Sequence, residues 1–176
     1  MNWPTLDDIE LLKKLPQEKL FELFFLHIKN IWRVDGLYFL GIEEEFGTQA
    51  ATAIDANCWK LMGKLEAREL KTLLQVKEAT IPALIDALRH TSWALYQTAK
   101  ETEMTGEKAI FRVTDCRTQK TRLQKGLGEF PCKRVRYGFL QSFTAAFSPD
   151  IKVACRRCPP DKHTEKCWCE WEFSAR

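Results

Sequence analysis

The sequence lacks a long uninterrupted hydrophobic run. Its longest apolar cluster, from Leu20 to Trp32, is broken by Glu22, His27, Lys29 and Asn30, whereas a membrane-spanning helix needs roughly 18–20 apolar residues in succession. The first residues also lack the basic and apolar segments of a secretion signal. We therefore expect no membrane partner and a cytoplasmic location.

Histidine is scarce, and the common nucleotide-binding motifs are missing. The chain has three scattered histidines in 176 residues, so no Ser/His/Asp triad and no two-histidine metal motif is visible. There is no glycine-rich phosphate loop, and the net charge of +3 is too small to indicate nucleic acid as a partner. These absences leave small-molecule binding, cysteine chemistry and metal binding as the function classes to weigh.

The composition is that of a folded chain with one core. Hydrophobic residues make up 45% and charged residues 29%, which is typical of globular proteins, and no segment has the composition of a linker. We predict a single domain over residues 1–176, with a helical part at 1–104 and a cysteine-rich sheet part at 105–176.

Helical periodicity dominates the first part of the chain. The segment Leu20–Trp32 is apolar nearly all round, which predicts a buried helix. Gly47 has the position of a glycine just after a helix end, and a long helix is predicted from about Gln49 to Val76. Thr80 with Pro82 predicts another helix that runs to near Lys100.

Alternation with a period of two appears in the last part. It predicts strands at 108–116, around 151–155 and around 169–173, and Pro131 opens a predicted amphipathic helix that ends at Phe147. The predicted fold class is α+β, with N-terminal helices packed on a small C-terminal antiparallel sheet and one intervening helix.

Cysteines are concentrated near the end of the chain. Five of the seven lie in the last 45 positions, and the odd total does not suit a complete set of disulfides. The pairs Cys155-x2-Cys158 and Cys167-x-Cys169 would supply the four thiolates of a zinc site, with His163 as a possible replacement ligand. The alternative is that these cysteines line the core of the sheet.

Cys132 is the candidate nucleophile. It follows Pro131 at the predicted helix N-terminus, where the helix dipole together with Lys133 and Arg134 favours a thiolate. A catalytic or ligand-contacting cysteine is one interpretation, and a buried inert thiol is the other.

A second group of candidate residues combines carboxylates, aromatic rings and arginines. Asp35, Phe39 and Glu43 share one helical face beside Trp32, and a run of basic residues follows the strand end at Cys116. We predict a ligand site between this helix and the sheet, with an arginine paired to a ligand carboxylate. The alternatives are salt bridges between helices and an ordinary aromatic core. The predicted ligand-binding residues are Trp32, Asp35, Phe39, Glu43, Cys116, Arg117, Arg122 and Cys132.

Four segments near the C-terminus carry a family resemblance: Phe130–Cys132, Tyr137–Phe139, Cys155–Asp161 and Cys169–Phe173. Together they resemble the end of the 4-vinyl-reductase-type small-molecule-binding domain and of aminothiazoline-carboxylate-hydrolase-like proteins. Nearly the whole chain is similar to a family of uncharacterised prokaryotic cytosolic proteins. The residues that carry this second resemblance are Trp32–Phe39, Ile42–Glu43 and Cys116–Gln119. The resemblances imply an antiparallel sheet backed by helices, a homodimer and a largely apolar ligand cavity.

The leading functional prediction is therefore a cytosolic small-molecule-binding domain with an apolar cavity and a basic anchor, present as a homodimer. The first alternative is a cysteine-dependent hydrolase of a small amide or thiazoline. The second is a zinc-stabilised interaction module, with zinc as the one cofactor that the sequence suggests.

Overall fold

The computed structural model describes residues 4–105, 107–164 and 166–176. Internal contacts group the chain into two compact units, Met1–Tyr38 and Phe39–Arg176. The prediction of a single domain over residues 1–176 stays a prediction. The helices and strands follow in chain order: α1 Leu6–Lys13, α2 Gln17–Leu73, α3 Ile81–Arg89, α4 Ser92–Tyr96, β1 Ala99–Thr105, β2 Lys108–Asp115, α5 Arg117–Gln124, α6 Cys132–Phe147, β3 Ile151–Arg157 and β4 Cys169–Ala175.

The first unit consists of α1 and the beginning of α2. Helix α1 starts with a capping box in which the Thr5 hydroxyl accepts from the Asp8 backbone N–H at 3.2 Å and the Asp8 carboxylate accepts from the Thr5 N–H at 3.0 Å. This exchange satisfies two of the N–H groups that a helix start leaves without partners.

Helix α2 continues into the second unit and changes direction at Gly47. The φ of Gly47 is 82° and its ψ is 163°, a conformation that glycine adopts without a steric penalty. The helix break that the sequence predicts at Gly47 is therefore confirmed. Gly36, by contrast, lies within continuous helix.

The second unit is built on a four-stranded antiparallel sheet with the strand order β1-β2-β4-β3. Helix α6 packs against β3, and α3 packs against β2 and β4. Large side chains from both layers fill the core between them. Those with almost no exposed surface include Phe111, Phe139, Phe143, Trp171 and Phe173. The α+β fold class predicted from the sequence is confirmed.

Three elements differ from the sequence prediction. The helical segment Leu20–Trp32 is not buried as expected, because its apolar side chains other than Ile28 and Trp32 keep exposed surface, about half of it at Phe24, Phe25 and Ile31. The helix expected to run to near Lys100 ends earlier, because α4 stops at Tyr96 and Ala99–Thr105 is the edge strand β1. This strand is exposed along most of its length, so it has no buried face to produce apolar alternation. Two helices rather than one lie between β2 and β3, because the polar segment Arg117–Gln124 forms α5, which buries a single residue, Gln119.

Candidate functional site

The start of helix α6 is held in place by a buried glutamine of α5. The Gln119 side chain donates to the carbonyl oxygen of Phe130 at 2.9 Å and accepts from the Phe130 N–H at 2.8 Å. The buried amide thereby replaces the backbone partner that Phe130 would have in a sheet. Because Cys132 is the first residue of α6, Gln119 fixes the position of the predicted nucleophile.

Lys133 ties the start of α6 to the loop after β3. Its backbone N–H donates to the carbonyl oxygen of Pro159 at 2.8 Å, and its ammonium group lies 2.9 Å from a carboxylate oxygen of Asp161. The same carboxylate accepts from the Cys158 N–H at 3.3 Å. The hydrogen bond from Lys133 is the main reason that the pKa of Asp161 lies below its usual value.

A groove of about 650 Å³ opens at this junction. Its volume lies within the range of roughly 300–1,000 Å³ that is usual for small-molecule sites. Two cationic side chains and two proline rings contribute to its lining, together with polar residues of α2. The lining residues are Thr48, Gln49, Thr52, Pro131, Lys133, Arg134 and Pro160.

Some polar groups of the groove already have hydrogen-bond partners within the chain, and others do not. The Thr52 hydroxyl donates to the Thr48 carbonyl oxygen at 2.7 Å, and the Thr48 hydroxyl donates to Glu43 at 2.8 Å. Arg134 is exposed, and it makes no hydrogen bond or ion pair with any residue of the described ranges. The Arg134 guanidinium is therefore available to an incoming anion.

A cluster of thiols lies directly behind the start of α6. Cys158 has no exposed surface, and the thiols of Cys132 and Cys169 lie close enough to interact with its own. These contacts, together with burial, raise the pKa of Cys158 far above its usual value. Burial also raises the pKa of Cys116 to about 12, and the neighbouring Cys132 adds to that rise. Both thiols are therefore protonated near neutral pH, and neither is expected to start a reaction with an external electrophile.

The four cysteines of the predicted zinc site are not arranged to hold a metal ion. Cys158 contacts Cys132 and Cys169, whereas the Cys167 thiol donates to the backbone oxygen of Cys169 at 3.6 Å. Burial raises the pKa of Cys155 to about 11. Across the described ranges, no group of three or more His, Cys, Asp or Glu side chains is arranged to hold a metal ion. The geometry therefore gives the predicted zinc site at Cys155, Cys158, Cys167 and Cys169 no support.

His163 is already engaged at both ring nitrogens. Its Nε2 lies 3.0 Å from a carboxylate oxygen of Glu129, and its Nδ1 lies 3.3 Å from the backbone oxygen of Thr164. The ring also contacts the indole of Trp168, with the ring centroids 4.6 Å apart. The histidine nearest in sequence to the C-terminal cysteines is thus held by contacts with Glu129, Thr164 and Trp168.

Three of the predicted ligand-binding residues are in contact, but their polar groups bind one another and not a ligand. Arg122 forms a bidentate ion pair with Glu43, with N–O distances of 2.8 and 3.1 Å, and lies over the Phe39 ring. The hydrogen bond from Arg122 is the main reason that the pKa of Glu43 is lowered. The second arginine, Arg117, donates to the Tyr96 carbonyl oxygen at 3.2 Å and lies over that residue's ring.

The remaining predicted residues lie in different places. Cys116 precedes α5 and neighbours the Cys132 thiol. Trp32 and Asp35 lie on α2 in the first compact unit. None of the eight predicted ligand-binding residues lines the groove, although Cys132 stands between Pro131 and Lys133, which do. Lys133 and Arg134 belong to the basic run visible in the sequence, whereas nothing in the sequence distinguishes Thr48, Gln49 or Thr52.

A family model that describes a family of unknown function (DUF6125) matches residues 13–175. The chain belongs to this family. Both the groove and the thiol cluster lie within the matched residues. No curated protein was found that matches the chain. The family match does not link the chain to the 4-vinyl-reductase-type or aminothiazoline-carboxylate-hydrolase-like proteins, so those two resemblances stay predictions.

Within the described ranges, no helix combines the length and the apolar character needed to cross a bilayer. Helix α2 is long enough, with 57 residues, but charged residues recur along its whole length.

Proposed function

We propose that this member of the family binds a small carboxylate with an apolar body in the groove at the start of α6. The observation that carries the proposal is the groove itself, which combines a ligand-sized volume with Lys133 and Arg134 and with the rings of Pro131 and Pro160. Apolar walls with a few convergent polar groups are characteristic of small-molecule sites.

Each part of the groove suits one part of such a ligand. The Arg134 guanidinium is free to form a bidentate pair with a carboxylate, and the N-terminal end of α6 adds a favourable partial charge. The proline rings and the stem of Lys133 offer apolar contact to the body of the ligand. Lys133 and Arg134 thereby take the role of basic anchor that the sequence prediction gave to Arg117 and Arg122, whose guanidinium groups are occupied.

Isothermal titration with phenylacetate and with its uncharged analogue phenylacetamide tests the proposal. We expect phenylacetate to bind and phenylacetamide to bind several-fold more weakly, because only the carboxylate forms a charge-assisted pair. The Arg134→Gln variant should lose most of this preference. Arg68→Gln is the matched control, since Arg68 is an exposed arginine of α2 that does not line the groove. Equal affinity for both compounds, or equal effects of the two substitutions, would contradict the proposal.

We also propose a cytoplasmic location. None of the seven cysteines, all of which lie in the described ranges, forms a disulfide. Free thiols in this number suit a reducing compartment. Labelling of intact cells with a membrane-impermeant thiol reagent would test this, because the exposed Cys58 should remain unlabelled until the cells are opened.

The proposed partner of the first unit is a second copy of this chain. Five large apolar side chains on one side of α2 are exposed: Leu26, Ile31, Val34, Leu37 and Tyr38. Ile28 and Trp32, on the other side of the same helix, are buried. A unit of this length cannot bury an additional apolar face within itself.

The size of this exposed face fits a pairing of two copies. Five half-exposed side chains offer on the order of 500 Å², most of the roughly 800 Å² that each partner of a stable dimer buries.

A further inference from the structure

Two thiols in contact connect the elements that form the groove. Cys132 lies between Pro131 and Lys133, both of which line the groove from the start of α6. Cys158 precedes the Pro159–Pro160 segment, and Pro160 lines the groove from the loop after β3. A covalent bond between the two sulfurs would therefore join the two elements at the base of the ligand site.

The two thiols differ in how easily a reagent reaches them. Cys132 is half-buried, whereas Cys158 has no exposed surface. The side chain of Cys158 interacts with those of Cys132 and Cys169, and Cys169 is also buried. Of Cys132, Cys158 and Cys169, Cys132 is the most exposed, so a small oxidant reaches its sulfur first. The buried thiol of Cys158 can then form the disulfide with the oxidised Cys132.

The surrounding contacts hold the pair together. The Lys133 N–H donates to the Pro159 carbonyl oxygen at 2.8 Å, and the Asp161 carboxylate joins the Lys133 ammonium to the Cys158 N–H. The backbone segments on both sides of the thiol pair are thus connected to each other directly. This arrangement reduces the entropy lost when the two sulfurs bond.

We propose that Cys132 and Cys158 form a reversible disulfide that regulates ligand binding in the groove. Hydrogen peroxide oxidises the Cys132 sulfur to a sulfenic acid: the O–O bond breaks, one hydroxyl group stays on the sulfur, and the other oxygen leaves as hydroxide, which takes up the Cys132 thiol proton to give water. The Cys158 sulfur then attacks the Cys132 sulfur, the S–O bond breaks, and the hydroxyl group leaves as water with the Cys158 proton. Overall, two thiols and one peroxide give one disulfide and two waters, and a small dithiol reverses the reaction by exchange.

The expected consequence for the ligand site rests on the proposed carboxylate binding. Bonded sulfurs are about 2.05 Å apart, much closer than thiols in contact, so the disulfide draws the start of α6 toward the loop after β3. Lys133 and Pro160 move with these elements. We expect the groove to narrow and the affinity for phenylacetate to fall several-fold on oxidation.

Peptide mapping tests the disulfide without reference to any ligand. The reduced full-length protein is treated with hydrogen peroxide, the remaining thiols are blocked with N-ethylmaleimide, and the digest is analysed by mass spectrometry without reductant. We expect a linked peptide that contains Cys132 and Cys158 and disappears with dithiothreitol. The matched control Cys58→Ser, which removes an exposed thiol of α2, should still form it. Maleimide on both Cys132 and Cys158, or a bond from Cys158 to Cys169 instead, would overturn the proposal.

A second variant and a titration complete the test. In Cys158→Ser, the Cys132 sulfenic acid has lost its resolving thiol and should be trapped by dimedone. If this variant does not fold, the map of the wild-type protein decides the question alone. Phenylacetate titration of the oxidised and reduced proteins then tests regulation, and equal affinities would overturn it. Failure of the reduced protein to bind phenylacetate would instead count against the proposed function, whatever the disulfide map shows.

Discussion

At the residue scale, a close approach of α2 to the backbone of α6 depends on a glycine. A Cβ atom added at Gly63 would lie 2.4 Å from the carbonyl oxygen of Phe139, and the backbone cannot yield as a side-chain end can. We expect Gly63→Ala to lower the free energy of unfolding by about 1–3 kcal/mol. Gly41→Ala is the control within α2, because nothing lies within 4 Å of its added methyl group. That control should raise stability by up to about 1 kcal/mol. Urea unfolding measures both, and a shift of the same sign in both would contradict the contact.

A second prediction at the residue scale concerns the pH dependence that comes from Glu43. Its pKa is lowered mainly by the hydrogen bond from Arg122, so the folded state favours the ionised form. The stabilisation is present above the unfolded-state pKa, near 4.5, and is lost as the pH falls through the lower folded-state value. Glu43→Gln should cost about 1–2 kcal/mol at pH 7 and less at pH 3. The exposed neighbour Glu44 gives the control Glu44→Gln, which should change stability little at either pH.

At the scale of elements, Gln119 decides how the chain enters α6. Its side chain makes two hydrogen bonds to the Phe130 backbone inside the fold, so Gln119→Leu leaves a buried N–H and a buried carbonyl without partners. We expect a loss of about 2–4 kcal/mol and faster amide exchange over residues 126–131. Gln124→Leu, an exposed glutamine at the end of the same helix, should change neither quantity. Unchanged exchange in Gln119→Leu would show that other contacts hold this loop.

Several elements with a buried face could be predicted from the sequence, whereas two polar elements of the second unit could not. Helix α6 and strand β4 were predicted because each turns one regular set of apolar side chains inward, such as Trp171 and Phe173 in the strand. Strand β1 and helix α5 were missed because their side chains are mostly polar and exposed. Both depend on tertiary partners instead: β1 on its pairing with β2 and α5 on the hydrogen bonds of Gln119.

The same limit applies to the candidate site at the scale of the whole molecule. The sequence shows a basic run that includes Arg117, Arg122, Lys133 and Arg134, but it does not show which of these side chains has an internal partner. Arg122 pairs with Glu43, a residue 79 positions away, so the predicted anchor is part of the scaffold. Lys133 and Arg134 line the groove because the groove lies where the start of α6 meets α2 and the loop after β3. That meeting is a property of the fold and leaves no local sequence signal.

The last prediction concerns association of two whole chains through the exposed face of α2. Light scattering over a range of concentrations should give twice the 20.5 kDa chain mass. The double substitution Ile31→Glu and Val34→Glu should give monomers of unchanged helical content, since it places two charges within an apolar interface. Leu73→Glu is the control, because Leu73 is 75% exposed at the far end of α2. A wild-type chain that stays monomeric at every concentration would rule out the second copy as the partner of this face.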